Sequence, residues 1–260
     1  MRTFLGLLLG AALCWSTSGN ANDLRFVTEE FFPFSYSVPD PVTGGSRAGG
    51  PLVEVVQLVC QRTGYRCSVE IHPWRRSLTL AEQGAVDGIF TVVRSPQRRQ
   101  AFRLTPMLVR SQYGLFSQRN SSFHYQRPAD LRGRTIGVYG PSGTSYALSQ
   151  HLMNVPDARV HLGTDNIQLL RMLDSGRFGK EGLVAMNQDV ARNLIFTEQL
   201  GNVRQAGELE PVTYGIGFSR KAVSKAEFET FRNALQAAMD DGSIGKILDL
   251  YGLEAAYRRH

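Results

Sequence analysis

Apolar and polar positions change period along the chain in a way that separates short strands from amphipathic helices. Residues 24–28 (Leu24-Arg25-Phe26-Val27-Thr28) form a short strand pattern, followed by an aromatic, Pro-containing loop, Phe31-Phe32-Pro33-Phe34. Residues 39–50 are rich in Pro and Gly and predict a turn or surface loop. Residues 52–62 then place Leu52, Val53, Val55, Val56 and Val59 mainly on one side of a helix that Gly64 ends. A strand at 67–71, a helix at 74–83 closed by Gly84, and a buried strand at 86–93 follow. Residues 102–107 and 112–117 continue the extended pattern. This alternation predicts α/β layers on a mostly parallel sheet.

The pattern restarts at 135–139, a strand that runs into the turn Gly140-Pro141-Ser142-Gly143-Thr144 and a helix over 145–153. A strand at 160–163 precedes a helix capped by Thr164 or Asp165, with Ile167, Leu169, Leu170 and Leu173 as its stripe and Gly176 at its end. A strand at 182–186, a helix at 189–196 and a strand at 212–219 complete this unit. Ser224 and Glu227 form a capping box for a helix with Phe228, Phe231, Leu235 and Met239 on its inner face. Asp241-Gly242 breaks that helix, and 244–251 makes the last one. Gln112-Tyr113-Gly114 and Thr213-Tyr214-Gly215 head two similar apolar strands that bracket the second unit. Two crossings between one pair of lobes would make a hinge; the residues alone equally allow two ordinary buried strands.

The N-terminus changes the compartment. Arg2, an apolar run over 4–13 and small residues ending at Ala21 have the secretory-leader form, so residues 1–21 are expected to be a cleaved signal peptide. The apolar run of about ten residues falls short of the roughly 20 that cross a bilayer. Cys14 raises a lipoprotein site, but Leu13 is bulky where a small residue is wanted. A periplasmic protein is expected. Of the three cysteines, Cys60 and Cys67 would remain in an oxidising compartment, at a helix end and the start of the next strand. That arrangement suits a structural disulfide, worth about 2 kcal/mol for so short a loop.

Composition adds little beyond exclusions. The 260 residues are 20% charged and 42% hydrophobic, which excludes a disordered chain, a coiled coil and a collagen-like repeat. The net charge of +6 falls to about +5 once Arg2 leaves with the leader, and the basic residues are dispersed rather than striped. Nucleic-acid partners are not expected. The five histidines have no metal-ligand spacing, and no Walker A or dinucleotide fingerprint exists. Gly140–Thr144 fails the nucleophile-elbow pattern because Thr144 stands where Gly is required. No cofactor or metal is expected.

Ligand-holding parts are present instead. The Gly140–Thr144 turn opens a helix, where free N–H groups and the Ser142, Thr144 and Ser145 hydroxyls suit a carboxylate or phosphate, or form an ordinary turn. Arg98, after Ser95-Pro96, sits in a loop where it either grips a carboxylate bidentately or is simply solvated. Phe32, Phe34 and Trp74 either wall an apolar slot or belong to the core.

In order and spacing these parts resemble the bacterial extracellular solute-binding proteins, family 3. The resemblance runs through Thr28-Glu29-Glu30-Phe31-Phe32-Pro33-Phe34, Gly50-Pro51-Leu52-Val53-Glu54, Val86-Asp87-Gly88-Ile89-Phe90 and Ser95-Pro96-Gln97-Arg98. It continues through Asp130-Leu131-Arg132-Gly133-Arg134-Thr135-Ile136-Gly137-Val138, Tyr214-Gly215-Ile216 and Asp241-Gly242-Ser243-Ile244-Gly245-Lys246-Ile247. It implies a periplasmic-binding-protein type II fold: two α/β lobes joined by a two-stranded hinge, with a ligand cleft between them. Lobe 1 would be residues 22–112 and 218–260, the hinge strands 113–117 and 213–217, and lobe 2 residues 118–212.

The resemblance also implies roles. Arg98 matches the arginine that holds a ligand α-carboxylate, and Thr144 with Gly143 and Ser142 matches the second-lobe turn that completes that site. Phe32 and Phe34 lie in the loop that packs on the ligand, and Glu29 lies near a position that contacts its side chain. Amino-acid binders usually have an Asp for the ligand's α-ammonium where this chain has the neutral Asn187. Thr91-Val92-Val93 replaces the usual small Gly-Ser/Thr run and is one residue shorter before the Arg. These departures open the ligand to a non-amino carboxylate or a modified or peptide-like molecule. The implied activity is capture of a small polar ligand by a monomer, for a membrane ABC permease. The alternatives are delivery to a sensor receptor, or a dehydratase-like enzyme on the same scaffold with Glu29 or Glu54 as acid/base.

Overall fold

The computed structural model describes residues 23–258; the expected leader, with Cys14, lies outside the described residues. In chain order the elements begin β1 (Asp23–Thr28), β2 (Tyr36–Pro39), β3 (Ser46–Gly49), α1 (Pro51–Thr63), β4 (Arg66–Ile71), α2 (Trp74–Gln83) and β5 (Gly88–Val92). Next come α3 (Pro96–Ala101), β6 (Phe102–Leu104) and β7 (Val109–Gln118), then a 3-10 turn at Pro128–Leu131. The chain continues through β8 (Thr135–Tyr139), α4 (Gly143–Leu152), β9 (Arg159–Gly163), α5 (Asn166–Asp174), β10 (Leu183–Asn187) and α6 (Gln188–Thr197). It closes with β11 (Val203–Ser219), α7 (Lys225–Asp240), α8 (Ser243–Leu250) and β12 (Glu254–Ala255).

These elements build two α/β lobes on one continuous strand path, β4-β1-β5-β11-β7-β10-β8-β9. The outer parts are parallel (β4-β1-β5 and β10-β8-β9), as the alternating pattern predicts. The middle is antiparallel, because β7 carries the chain from the first lobe to the second and β11 brings it back. The sheet is therefore mixed rather than mostly parallel. β10 flanks β7 only at Tyr113–Ser117, and β5 flanks β11 only from Gly215 to Phe218. Between them Arg110 pairs with Thr213 and Gln112 with Pro211, a ribbon that neither lobe's central sheet covers.

Local chemistry explains the element ends. Pro51 opens α1, and Gly64 closes it in the left-handed region (φ 73°), where a side chain would be strained. Cys60 and Cys67 are disulfide-bonded with Cα atoms 6.1 Å apart, across that helix end and the start of β4. Ser224 and Glu227 cap α7, whose Phe228 and Phe231 reach Phe218 on β11 at ring-centre distances of 5.6 and 4.8 Å.

Three expectations are corrected. Residues 39–50 are not all loop: β2 and β3 pair as a hairpin, with the Val38 side chain seated over Gly49, which has no Cβ to displace it. The strand expected at 212–219 begins at Val203 as β11, nine residues before the apolar run, because pairing with β7 carries its polar and Pro-containing half. Arg98 lies on the helix α3, where Pro96 occupies the first turn and the Ser95 hydroxyl accepts the Arg98 N–H at 3.2 Å.

Candidate ligand-binding cleft

Where the lobes meet, the C-terminal ends of β1, β5, β8 and β10 converge with β7 and β11 around an inner chamber of about 30 Å³. Glu29, Trp74, Thr91, Arg98, Ser142, Gly143, Thr144 and Asn187, all named above as candidate ligand contacts, line it. Phe32 and Phe34 do not. Phe34 is fully buried, stacked on Phe31 and set edge-on to Tyr214, so it belongs to the core. The tight Phe31–Ser35 turn points Phe31 into the chamber instead. Phe32 is 43% exposed and packs on Tyr36 at the rim of an outer groove. That groove, about 630 Å³, shares Glu29, Trp74, Tyr139 and Asn166 with the chamber.

Arg98 comes from the first lobe and is nearly buried. Its guanidinium pairs with Glu82 at 3.1 Å and lies 5.8 Å from the centre of the Trp74 ring. Burial draws its pKa below the ordinary value, and Glu82 opposes that. The remaining guanidinium donors make no hydrogen bond with any described residue and can serve a ligand. Thr91, at the end of β5, holds φ 64°, an uncommon backbone state for a β-branched residue and one that concentrates at functional sites.

From the second lobe, α4 presents its N-terminus. Ser142 caps it, accepting the Ser145 N–H at 3.1 Å while its own N–H donates to the Ser145 hydroxyl at 2.9 Å. Gly143 and Thr144, in the first turn, have N–H groups without an intrahelical acceptor. A Cβ at Gly143 would collide with the Tyr113 hydroxyl and stand 2.8 Å from Val93, so the close approach of α4 requires glycine. A second contact crosses the cleft: Arg75 on α2 donates to the Gly140 carbonyl through Nε at 2.7 Å and also through Nη2.

Asn187 is a keystone. Its amide donates to Ser111 at 2.8 Å and to the Tyr214 hydroxyl at 2.9 Å, and its carbonyl oxygen accepts the Asp189 and Val190 N–H groups at 2.9 and 3.1 Å. Every hydrogen-bonding position of the side chain is used. Tyr113 and Tyr214 form the floor, and burial drives both phenols above their ordinary pKa. Tyr139 is pushed up to about 12, first by burial and then by Glu29. Sequence reasoning singled out Tyr113 and Tyr214 as strand heads and missed all three tyrosines as lining; the repeated Tyr-Gly was the signal available.

Glu29 is half-buried at the junction of chamber and groove. Enclosure by protein raises its carboxyl to about pKa 8. Glu54, the other acid considered, lies away from the cleft and accepts the Tyr251 hydroxyl. Among the described residues no group of three or more His, Cys, Asp or Glu side chains is placed to hold a metal. Nor, among them, is any helix long and apolar enough to cross a membrane.

The sequence pattern of the bacterial extracellular solute-binding proteins, family 3, matches residues 24–254. No curated protein sequence matches the chain. Solved structures do. One is a histidine kinase sensor domain with similarity to periplasmic binding proteins, at TM-score 0.73 and 19% identity, covering 90% of this chain and 97% of that one. Another is the substrate binding protein of an amino acid ABC transporter, at TM-score 0.72 and 13% identity, covering 89% and 99%. A third, from Streptococcus pneumoniae, is an amino acid ABC transporter substrate-binding protein bound to L-arginine, at TM-score 0.71 and 18% identity, covering 88% and 94%. Identities this low speak for the fold alone.

Proposed function

The chain belongs to the bacterial extracellular solute-binding proteins, family 3, and from that premise we propose that it captures a small carboxylate-bearing ligand, an amino acid or a related molecule, by hinge closure. Arg98 on one lobe and the Gly143–Thr144 N–H groups on the other would hold the carboxylate. The observation that carries this reading is that Arg98 and the α4 N-terminus, 45 residues apart in sequence by the numbering of Arg98 and Gly143, line one chamber from opposite lobes. A ligand touching both favours the closed form, because it binds that form better than the open one. The ribbon around Arg110–Gln112 and Pro211–Thr213, beside the expected hinge strands 113–117 and 213–217, would bend to bring the lobes together. Export to the periplasm behind a cleaved leader and delivery to an ABC permease complete the reading.

Delivery to a sensor receptor is the second reading, favoured by the likeness to a histidine kinase sensor domain. Thermal-shift measurement over amino acids and small carboxylates tests the binding claim, since a ligand specific for the folded state raises the melting temperature. Arg98→Ala should abolish the shift while circular dichroism stays native. An unchanged shift in that variant removes Arg98 from the site.

A further inference from the structure

The chamber offers a ligand two polar groups besides the carboxylate anchors, and they are not equivalent. Asn187 has no free donor or acceptor. The Glu29 carboxyl makes no hydrogen bond or ion pair with any described residue. Its electrostatic neighbours are the hydroxyls of Tyr113 on β7, Tyr139 on β8 and Tyr214 on β11. A carboxylate enclosed without a countercharge is costly, so the site is built to receive one. Beside it, the Trp74 indole N–H is buried and also unpartnered.

The space around Glu29 constrains what brings the charge. The inner chamber, about 30 Å³, takes a carboxylate-sized group and not a whole amino acid. The groove on the other side of Glu29 is twenty-fold larger, about 630 Å³, and walled by Phe32, Ile71, Ile167, Val190 and Leu194. Among the described residues, no Lys or Arg lines it. Its other acids are engaged, Glu30 with the Ser37 N–H and Asp165 as the cap of α5. Its histidine, His72, is bonded to Glu70.

We propose that Glu29, and not Asn187, is the cation receptor of this cleft, and that the ligand is a zwitterion with a bulky apolar side chain. The carboxylate enters the inner chamber, the ammonium pairs with Glu29, and the apolar body fills the outer groove past Trp74. This rests on the carboxylate reading of Arg98 given above. Because an ammonium pairs with the ionised carboxyl, binding below pH 8 displaces a proton, and affinity rises with pH until Glu29 is already ionised. The titratable and charged groups around Glu29 are the three tyrosines and Arg98 in the chamber, His72, Glu30 and Asp165 along the groove, and Arg75 beside Tyr139. Histidine changes charge near neutrality, so the comparison with Glu29→Gln separates His72 from Glu29.

The test is calorimetric titration of the purified protein with L-phenylalanine, N-acetyl-L-phenylalanine, phenethylamine and L-alanine. L-Phenylalanine should bind at least about tenfold more tightly than each of the other three, with affinity rising up to about tenfold per pH unit between pH 6 and 7.5. In Glu29→Gln the preference over the N-acetyl compound and the pH slope should both vanish. The proposal is overturned by N-acetyl-L-phenylalanine binding as tightly as L-phenylalanine, by an unaltered Glu29→Gln variant, or by no binding of any probe. L-Alanine binding equally well overturns the role of the groove. Phenethylamine binding equally well overturns the carboxylate contact, and with it the reading of Arg98. The first two outcomes leave Arg98 standing, and the pH slope in the unaltered protein needs no variant to fold.

Discussion

On the second-lobe wall of the inner chamber, Asn187 and Ser142 spend their hydrogen bonds inside the protein, capping α6 and α4. On the first-lobe wall, the Glu29 carboxyl and the Trp74 indole have no partner among the described residues. Both walls are polar and both line the same space, so lining alone does not identify a ligand-binding group. Satisfied polar groups hold the cleft in shape. Unsatisfied ones are where a ligand gains most, because its arrival supplies a bond that the protein does not.

The sharpest way to break this comparison is at Gly143, where the two walls touch. Gly143→Ala should leave the fold intact and hold the lobes apart, since its Cβ collides with the Tyr113 hydroxyl and Val93. An overpacking cost of about 1–3 kcal/mol on the closed form alone weakens ligand binding by roughly five- to 150-fold. Small-angle scattering should show no compaction when the ligand is added at a concentration that compacts the unaltered protein.

An effect of similar size is expected for Asn187→Ala, which removes a helix cap and takes one hydrogen-bond partner each from buried Ser111 and Tyr214. A loss of about 2–3 kcal/mol in chemical denaturation is expected, with or without ligand. A variant that kept full stability but lost binding would make Asn187 a ligand group after all.

Glu29 should behave in the opposite sense. Its folded-state pKa, about 8, lies above the ordinary 4.5, so the folded protein retains a proton that the unfolded chain has lost. That contribution is complete below pH 4.5 and is lost as pH rises through 8, with a slope of at most about 1.4 kcal/mol per pH unit. Glu29→Gln should therefore flatten the decline in the ligand-free melting temperature between pH 5 and 8. A wild-type slope that persists in the variant assigns it to other groups.

The smallest effect belongs to Arg75, whose bond to the Gly140 carbonyl spans the cleft. Arg75→Met removes about 1 kcal/mol from the closed form, and stopped-flow release of ligand should quicken about fivefold. Unchanged release would show that this bond does not hold the lobes together.

How far the sequence anticipated these walls depended on whether a residue's role is local. The α7 capping box, the Cys60–Cys67 pair and the Gly140–Thr144 turn all act within a few residues of themselves, and each was legible. Arg98 was legible through its place after Ser95-Pro96, but not its helix, since six residues give too short a periodicity to read. The choice between Phe31, Phe32 and Phe34 was not legible, because a tight turn, rather than the pattern of apolar positions, decides which ring faces the chamber. The first half of β11 was hidden for a related reason: its polar residues are held by the ladder to β7 and not by burial. Nor could the sequence distinguish Asn187 from Glu29, since saturation of one and isolation of the other arise from contacts across 76 residues in one bond and from their absence in the other.

The direct test of the central claim is a crystal structure with a bound ligand from the carboxylate and amino-acid panel. The carboxylate should lie in the inner chamber, within hydrogen-bonding distance of the Arg98 guanidinium and the Thr144 N–H, with the lobes closed on it. A ligand bound elsewhere, or one whose carboxylate touches neither group, would contradict the account.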